Sequence, residues 1–444
     1  MYFETNLPEK APAHVKDHAA IDRINAILDN IHTRMNKLEE ALIRTGLPGE
    51  QFAEGAKILF HSKSTSGESM LDVMTPEEIA EFVAPIAKNM DYQERLEWPN
   101  ATVVVDTAFL HNDEWEAIRT IGMGGSDAAV AIGVSPYRTE QQLYYDKIGT
   151  QFKIQENDPG KEFIFSYGHK VEPLVIEEFC RRTGAEVIKE TRMFAKKDMP
   201  FLTANIDGFL KLADGSYCLF EAKTTTTFNR AAWEDDHVPA HYVAQCRQYM
   251  GVLDDPRISD IFIGCIYGNT PNDFVCRRID RDLERETIQF ESEQEFWEDF
   301  VLEGVEPPPS GDPKKDIAIV KNLSGYADKT LPEIELEPEL RTTVEEYLEL
   351  DKERKNYEKK SKTLKERQSM LSLGIIKALG TVTKGRLDKD AETDYEISYS
   401  PKSRTSVDTE KLGMLYPDAY RDCVSVNPES TRVFGIKEKK KKKK

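Results

Sequence analysis

No apolar run in the sequence approaches the ~18–20 residues that a membrane-spanning helix requires, so neither a membrane protein nor a membrane partner is expected. The N-terminal stretch MYFETNLPEK has neither the basic nor the apolar region of a secretory signal, and an intracellular, cytoplasmic setting is expected. The six cysteines (Cys180, Cys218, Cys246, Cys265, Cys276 and Cys423) include no CxxC pair. Such spacing gives neither a zinc site nor a disulfide framework, and they read as reduced thiols. The glycine-rich stretch Gly122-Met123-Gly124-Gly125 is not followed by Gly-Lys-Ser/Thr, so a P-loop nucleotidase is not supported. Positive charge is in deficit. With 60 Lys and Arg against 79 Asp and Glu the formal net charge is −19. A uniformly basic nucleic-acid coat is thereby excluded, but not a locally basic groove, whose field depends on where charges sit.

What remains is substantial. A chain of 444 residues, 39% hydrophobic and 31% charged, has room for two or three domains and a sizeable core beside long solvated helices. Residues 1–105 read as a helical N-terminal extension, with Ile21, Ile24, Ile27, Leu28 and Ile31 at helical spacing and a capped start at Thr75-Pro76-Glu77-Glu78. Residues 106–305 read as a mixed α/β core, a small central sheet flanked by helices. Within it a helix is expected over Lys161–Arg182, strands over Val187–Lys196, Thr203–Leu212 and Tyr217–Thr225, and a helix over Ala240–Leu253. Strands over Asp260–Tyr267 and Asp273–Asp280 and a helix over Leu283–Leu302 complete it. Residues 306–335, opening on Glu306-Pro307-Pro308-Pro309, read as a Pro-rich linker. Residues 336–380 are expected to form a long charged helix or helical hairpin. The remainder, 381–444, is a small C-terminal region ending in a run of seven lysines and one glutamate, read as a solvated end.

Chemistry concentrates in the core. Alternation along a strand points Glu221 and Lys223 to one face and Ala222 to the other. The turn Ala213-Asp214-Gly215-Ser216 makes a hairpin that brings Asp207 beside Glu221. Two adjacent carboxylates are costly unless a cation neutralises them. Oxygen ligands with open positions suit Mg²⁺ or Mn²⁺, which can activate water against a phosphodiester, with Lys223 near the attacking water or the scissile phosphate. Upstream, His169 and Glu172 stand at i and i+3 on one helix and offer a further ligand. Downstream, Gln245 and Tyr249 at i and i+4 can bind phosphate oxygens or hold the lysine. Lys147, Lys161, Lys170, Arg230 and Arg247 are candidates to line a basic channel. Trp115, Trp233 and Tyr242 read as core or interface aromatics.

The order Gly168-His169-x-x-Glu172, Asp207-Gly208, Glu221-x-Lys223, Gln245-x-x-x-Tyr249 resembles the PD-(D/E)XK nuclease superfamily, particularly its RecB-like exonucleases. Arg119-Thr120-Ile121-Gly122-Met123-Gly124-Gly125-Ser126-Asp127, then Gly133-Val134-Ser135-Pro136-Tyr137, resembles the entry motif of YqaJ-type viral recombinases, phage exonucleases of the lambda-exonuclease kind. This resemblance, over roughly residues 110–305, implies a restriction-endonuclease-like core and a Mg²⁺-dependent 5′-to-3′ exonuclease. The implied substrate is linear double-stranded DNA with a 5′ end, in phage or prophage recombination. It further implies a homo-oligomer working beside a single-strand annealing protein. Glu172, Asp207 and Glu221 become the metal-binding acids, with the Ala222 carbonyl and His169 as additional ligands, and Lys223 the catalytic lysine. Arg119 and Ser126 fall where the family holds the terminal 5′-phosphate, a fitting role for a guanidinium and a hydroxyl. Gln245 and Tyr249 match the downstream helix motif. Ile206 stands where a proline is expected. Asn205 stands where lambda-type enzymes have a small hydroxyl residue beside the phosphate, and an amide can still donate there. Two other readings are a non-catalytic DNA-end-binding scaffold with the same fold, and a RecB-like single-strand nuclease. Iron–sulfur members of the latter kind need cysteine spacings absent from this chain.

Overall fold

The computed structural model describes residues 1–154, 159–328, 330–388, 394–401 and 407–423. The chain divides into two compact units, Met1–Gly325 and Tyr326–Lys444.

The first unit begins with helices His18–Thr45, Gly49–His61 and Pro76–Ala87. Asp17 caps the first by accepting the Ala20 N–H, Gly46 at φ +64° ends it, and a Thr75–Glu78 capping box opens the third. Their apolar faces bury Ile24, Leu28, Leu38, Phe52, Leu59 and Val83 in one cluster with Val105 and Phe109. Arg34 is buried on the first helix and pairs with Glu114 at 2.7 Å and Asp72 at 2.6 Å. The expected boundary at 105/106 therefore does not separate two bodies. It falls inside strand β1 (Ala101–Asp106), and the helical extension shares a core with residues on both sides of that boundary.

Among the described residues two sheets lie in this unit. β1 pairs antiparallel with β3 (Arg192–Lys196), which pairs with β4 (Thr203–Ala204). The larger sheet has five strands in the order β2 (Glu186–Ile188), β5 (Gly208–Lys211), β6 (Tyr217–Thr224), β7 (Ile258–Ile266), β8 (Phe274–Asp280). It is mixed: β6 and β7 run parallel, joined across the Ala240–Leu253 helix, and the other neighbours are antiparallel. Helices Pro159–Thr183 and Ala240–Leu253 flank it, and Leu283–Phe296, which continues as a π-helical turn to Leu302, packs on the second of them. The mixed α/β class with helical additions at both ends is as expected.

Two expected strands are each broken in two. Val187–Lys196 splits between β2 and β3 because Glu190 turns back to Arg192 and to the Trp98 indole N–H. Thr203–Leu212 splits between β4 and β5, so Asn205-Ile206-Asp207 crosses from one sheet to the other. The expected linker is corrected too. Within 306–335 the helix Pro313–Ser324, capped by Asp312, belongs to the first unit and buries Ile319.

In the second unit Leu340–Leu379 is one continuous helix with no buried residue among those described, not a helical hairpin. Beyond it lie a hairpin of β9 (Lys384–Asp388) and β10 (Asp394–Ser398) and helices Thr409–Leu415 and Pro417–Cys423. The lysine run lies outside the described residues. No helix among the described residues is long and apolar enough to cross a membrane. All six cysteines are free thiols.

Candidate active site

β6 carries the centre. Pairing of Gly208 with Phe220 sets Asp207, at the crossing into β5, beside Glu221. The Asp207 Oδ2 accepts the Ala222 N–H at 2.9 Å. Glu221 is wholly buried, and its Oε1 accepts from the Lys223 ammonium and from Gln245 Nε2, the latter at 2.6 Å. Gln245 also donates to the Tyr249 hydroxyl at 2.8 Å. The Glu221 Oε2 is buried with no hydrogen-bond partner. Burial, then the Asp207 charge, pushes the Glu221 carboxyl well above its ordinary range against the pull of Lys223. Glu172, on the Pro159–Thr183 helix, is raised to about 7 by burial and then Asp207, with Lys223 opposing. Burial works against the Lys223 ammonium, yet Glu221 and Asp207 overcome it and raise its pKa. His169 is 77% exposed, its Nδ1 3.9 Å from Glu172 Oε2.

The structure thus brings Glu172, Asp207, Glu221 and Lys223 into one electrostatic cluster, with His169 at its solvent side. Excess negative charge, an all-oxygen acid set and an orphaned buried carboxylate oxygen fit a hard divalent cation. Among the described residues no three acidic, imidazole or thiol side chains stand at ligand spacing. Lys223 supplies the neutralising charge on Glu221 in this arrangement.

Gln245 and Tyr249 are corrected. Both are buried, Gln245 on Glu221 and the Tyr249 hydroxyl on Gln245, so they do not present an amide and a phenol to phosphate. Asn205 is half-buried on the sheet crossing. Arg119 and Ser126 do meet: Arg119 Nη2 donates to Ser126 Oγ at 2.8 Å, and its guanidinium lies over Trp115 at 4.8 Å. Gly122, Gly124 and Gly125 lie outside the positive-φ region. Close approach is what requires two of them. A Cβ at Gly122 would stand 2.5 Å from the Phe201 carbonyl oxygen, and one at Gly125 would stand 2.5 Å from the Tyr249 ring. Gly125 thereby seats the Gly125–Ala131 helix on the helix that holds Glu221.

Sequence reasoning missed what lies under Arg119. Asp127 is fully buried, accepting from Lys147 at 2.8 Å, Arg138 at 3.2 Å and the Gly124 N–H at 3.1 Å. Burial alone would raise its carboxyl, but Lys147, then Arg119 and Arg138, hold it down at about 2. Lys147 and Arg247 do not line a basic channel. The first is buried on Asp127 and the second donates to Gln289 at 3.1 Å. Lys170 and Arg230 are exposed, while the Lys161 side chain lies outside the described residues. Gln248 was also missed. It ties the glycine-rich loop to β4 through the Met123 and Thr203 carbonyls at 2.8 and 2.9 Å. The one local signal for it was a polar residue on the inward face of an otherwise apolar helix.

Behind this cluster Glu293 is buried, Oε1 accepting from Gln289 at 2.8 Å and Oε2 unpartnered. Burial raises its carboxyl to about 8, against the Gln289 hydrogen bond and helped by Asp127. The folded chain therefore binds a proton that the unfolded chain releases near the ordinary carboxyl value of 4.5. The stability this proton confers is full below that value and is lost as pH rises through about 8. Glu293→Gln is expected to raise Tm by about 3 °C or more at pH 9 and by much less at pH 5.5, read by thermal melts. An equal shift at both pH values would count against the account.

An α/β core whose central strand carries a carboxylate and an amine beside a second carboxylate from the neighbouring strand, with a braced guanidinium and hydroxyl on the same unit, defines the class of protein. The chain belongs to the YqaJ family: the YqaJ-like viral recombinase domain matches residues 114–255. It is 30% identical over 343 residues to the uncharacterized protein YqaJ of Bacillus subtilis (strain 168), which spans 76% of this chain and 98% of that relative. Among solved structures, an alkaline exonuclease (LHK-Exo) from Laribacter hongkongensis is similar at a TM-score of 0.36 and 17% identity, covering 47% of this chain and 100% of its own. The same exonuclease in complex with dAMP is similar at a TM-score of 0.36 and 18% identity, over 47% and 100% of the two chains.

Proposed function

We propose that this chain is a Mg²⁺- or Mn²⁺-dependent DNA exonuclease of recombination, degrading linear duplex from its 5′ end. The observation that carries the reading is Glu221, wholly buried between Lys223, Gln245 and Asp207 with one oxygen left unpartnered. Asp207, Glu221 and Glu172, with the Ala222 carbonyl and His169 as further donors, would hold the ion, which when bound lowers the pKa of water and offsets phosphate charge. The chain's own residues do the rest. Gln245 fixes Glu221 against rotation, and Ala222 N–H fixes Asp207. Lys223 keeps its proton and sets a positive charge where negative charge develops on the phosphodiester. Arg119 and Ser126 offer a guanidinium edge and a hydroxyl to a terminal 5′-phosphate. Membership of a viral recombinase family supports recombination as the context, in a phage or prophage within the bacterial cytoplasm. It also supports a homo-oligomer and a single-strand annealing protein as partner.

The test uses the full chain on linear duplex bearing 5′-phosphate or 5′-hydroxyl and on closed circles, with Mg²⁺ or EDTA. The expected result is metal-dependent loss of linear duplex, fastest with the phosphate, and intact circles. Cleaved circles, or loss in EDTA, would refute the reading. End binding without loss would favour the non-catalytic scaffold.

A further inference from the structure

A cavity of about 440 Å³ opens beside the edge strand β8, lined by Arg182, Arg230, Trp233, Tyr267, Phe274 and Arg277 among others. Three guanidiniums around one cavity stand out in a chain of net charge −19, and among the described residues Glu234 is the one carboxylate in the lining. Each is braced. Arg182 lies over Phe274 at 4.5 Å and pairs with Glu178, and Arg230 lies over Tyr267 at 5.5 Å. Arg277 donates to the Trp233 carbonyl at 2.9 Å, with Asp236 at 3.4 Å. A guanidinium stacked on a ring engages its face, while its in-plane N–H groups suit a phosphate bidentately. The rings themselves are buried and occupied in this bracing, which leaves little face for a base. Recognition here would therefore be of phosphate and independent of sequence.

The position relative to the centre is also informative. Trp233, a wall of the cavity, has its ring 5.7 Å from that of Tyr242, which lies 5.4 Å from the Lys223 ammonium. One pair of rings separates the cavity from the catalytic lysine.

We infer that this cavity is a second phosphate site, taking a backbone phosphate of DNA beyond the scissile position. The inference rests on the nuclease reading for its choice of DNA over other phosphates. The phosphate can come from a single strand passing the centre or from a released mononucleotide, and the two are separable.

The test measures binding by the full chain in EDTA, where no turnover occurs, using labelled dT20 by anisotropy across a salt series and dTMP by calorimetry. Arg230 is exposed and lies outside the catalytic cluster, so Arg230→Glu should fold normally, as checked by its melt. The expected result is about a tenfold loss of dT20 affinity, with the salt slope shallower by about 1. Loss confined to dT20 identifies the strand as the source; a parallel loss of dTMP binding identifies the mononucleotide. Unchanged dT20 and dTMP binding in the variant overturns the site. Because this arm needs no hydrolysis, a wild-type chain that fails to degrade duplex would sink the nuclease reading separately.

Discussion

Asp207→Ala is expected to lower DNA hydrolysis by on the order of 10²–10³-fold or more without lowering the stability of the metal-free chain. The two halves of that expectation have one cause. Asp207 is the nearest negative charge raising the proton affinity of both Glu172 and Glu221. Without a metal ion its repulsion of Glu172 and Glu221 is set against its attraction to the Lys223 ammonium, and alanine removes both together with the bond to the Ala222 N–H, worth about 1 kcal/mol. A group that strains the resting fold and is kept for chemistry is the usual form of a trade-off between stability and activity. Melts in EDTA should show Tm unchanged or raised. Melts in about 10 mM Mg²⁺ should show wild type gaining stability by ion binding to the folded state and the variant gaining little. Asp207→Asn, which retains an acceptor for Ala222 N–H, should match the alanine variant in activity. Persistent hydrolysis in both variants, or a Tm several degrees lower in EDTA, would reassign Asp207 to structure.

The parts of this centre legible in the sequence were those set by short-range geometry. Glu221 and Lys223 share a face because a strand alternates, and Asp207 reaches Glu221 because a hairpin closes between them. Gln245 and Tyr249 share a face because a helix turns every 3.6 residues. What that spacing could not say was which way the face points. Once the Ala240–Leu253 helix packs against the sheets, the amide meets the Glu221 carboxylate and is spent there. The break of one predicted strand at Asn205-Ile206-Asp207 was illegible for a similar reason. Apolar alternation continues unbroken through it, and only the competition of two sheets for the same segment divides it. The burial of Lys147 was likewise hidden. A lysine is solvated by default, and its reversal depends on an aspartate twenty positions away and on a carbonyl, neither marked by any local pattern.

That buried pair gives the second large effect. The Lys147 side chain is 1% exposed, its ammonium 2.8 Å from Asp127 and 2.7 Å from the Arg119 carbonyl. Asp127→Ala leaves this charge in the interior with one neutral acceptor and with Arg119 and Arg138 as like-charged neighbours. Removing one member of a buried pair costs about 3–5 kcal/mol, so a fall in Tm of roughly 10 °C is expected. Asp127→Ala with Lys147→Met removes the stranded ammonium, while Arg119 and Arg138, 33% and 35% exposed, remain in reach of water. The double variant should therefore regain most of the lost Tm. It should not regain the preference for a 5′-phosphate over a 5′-hydroxyl end. Asp127 and the Lys147 bond to its carbonyl are what aim Arg119 at Ser126, and both are gone. A double variant as unstable as the single one would place the cost in the Gly124 and Arg138 contacts. One that kept its preference between ends would show that Arg119 is positioned by Trp115 alone.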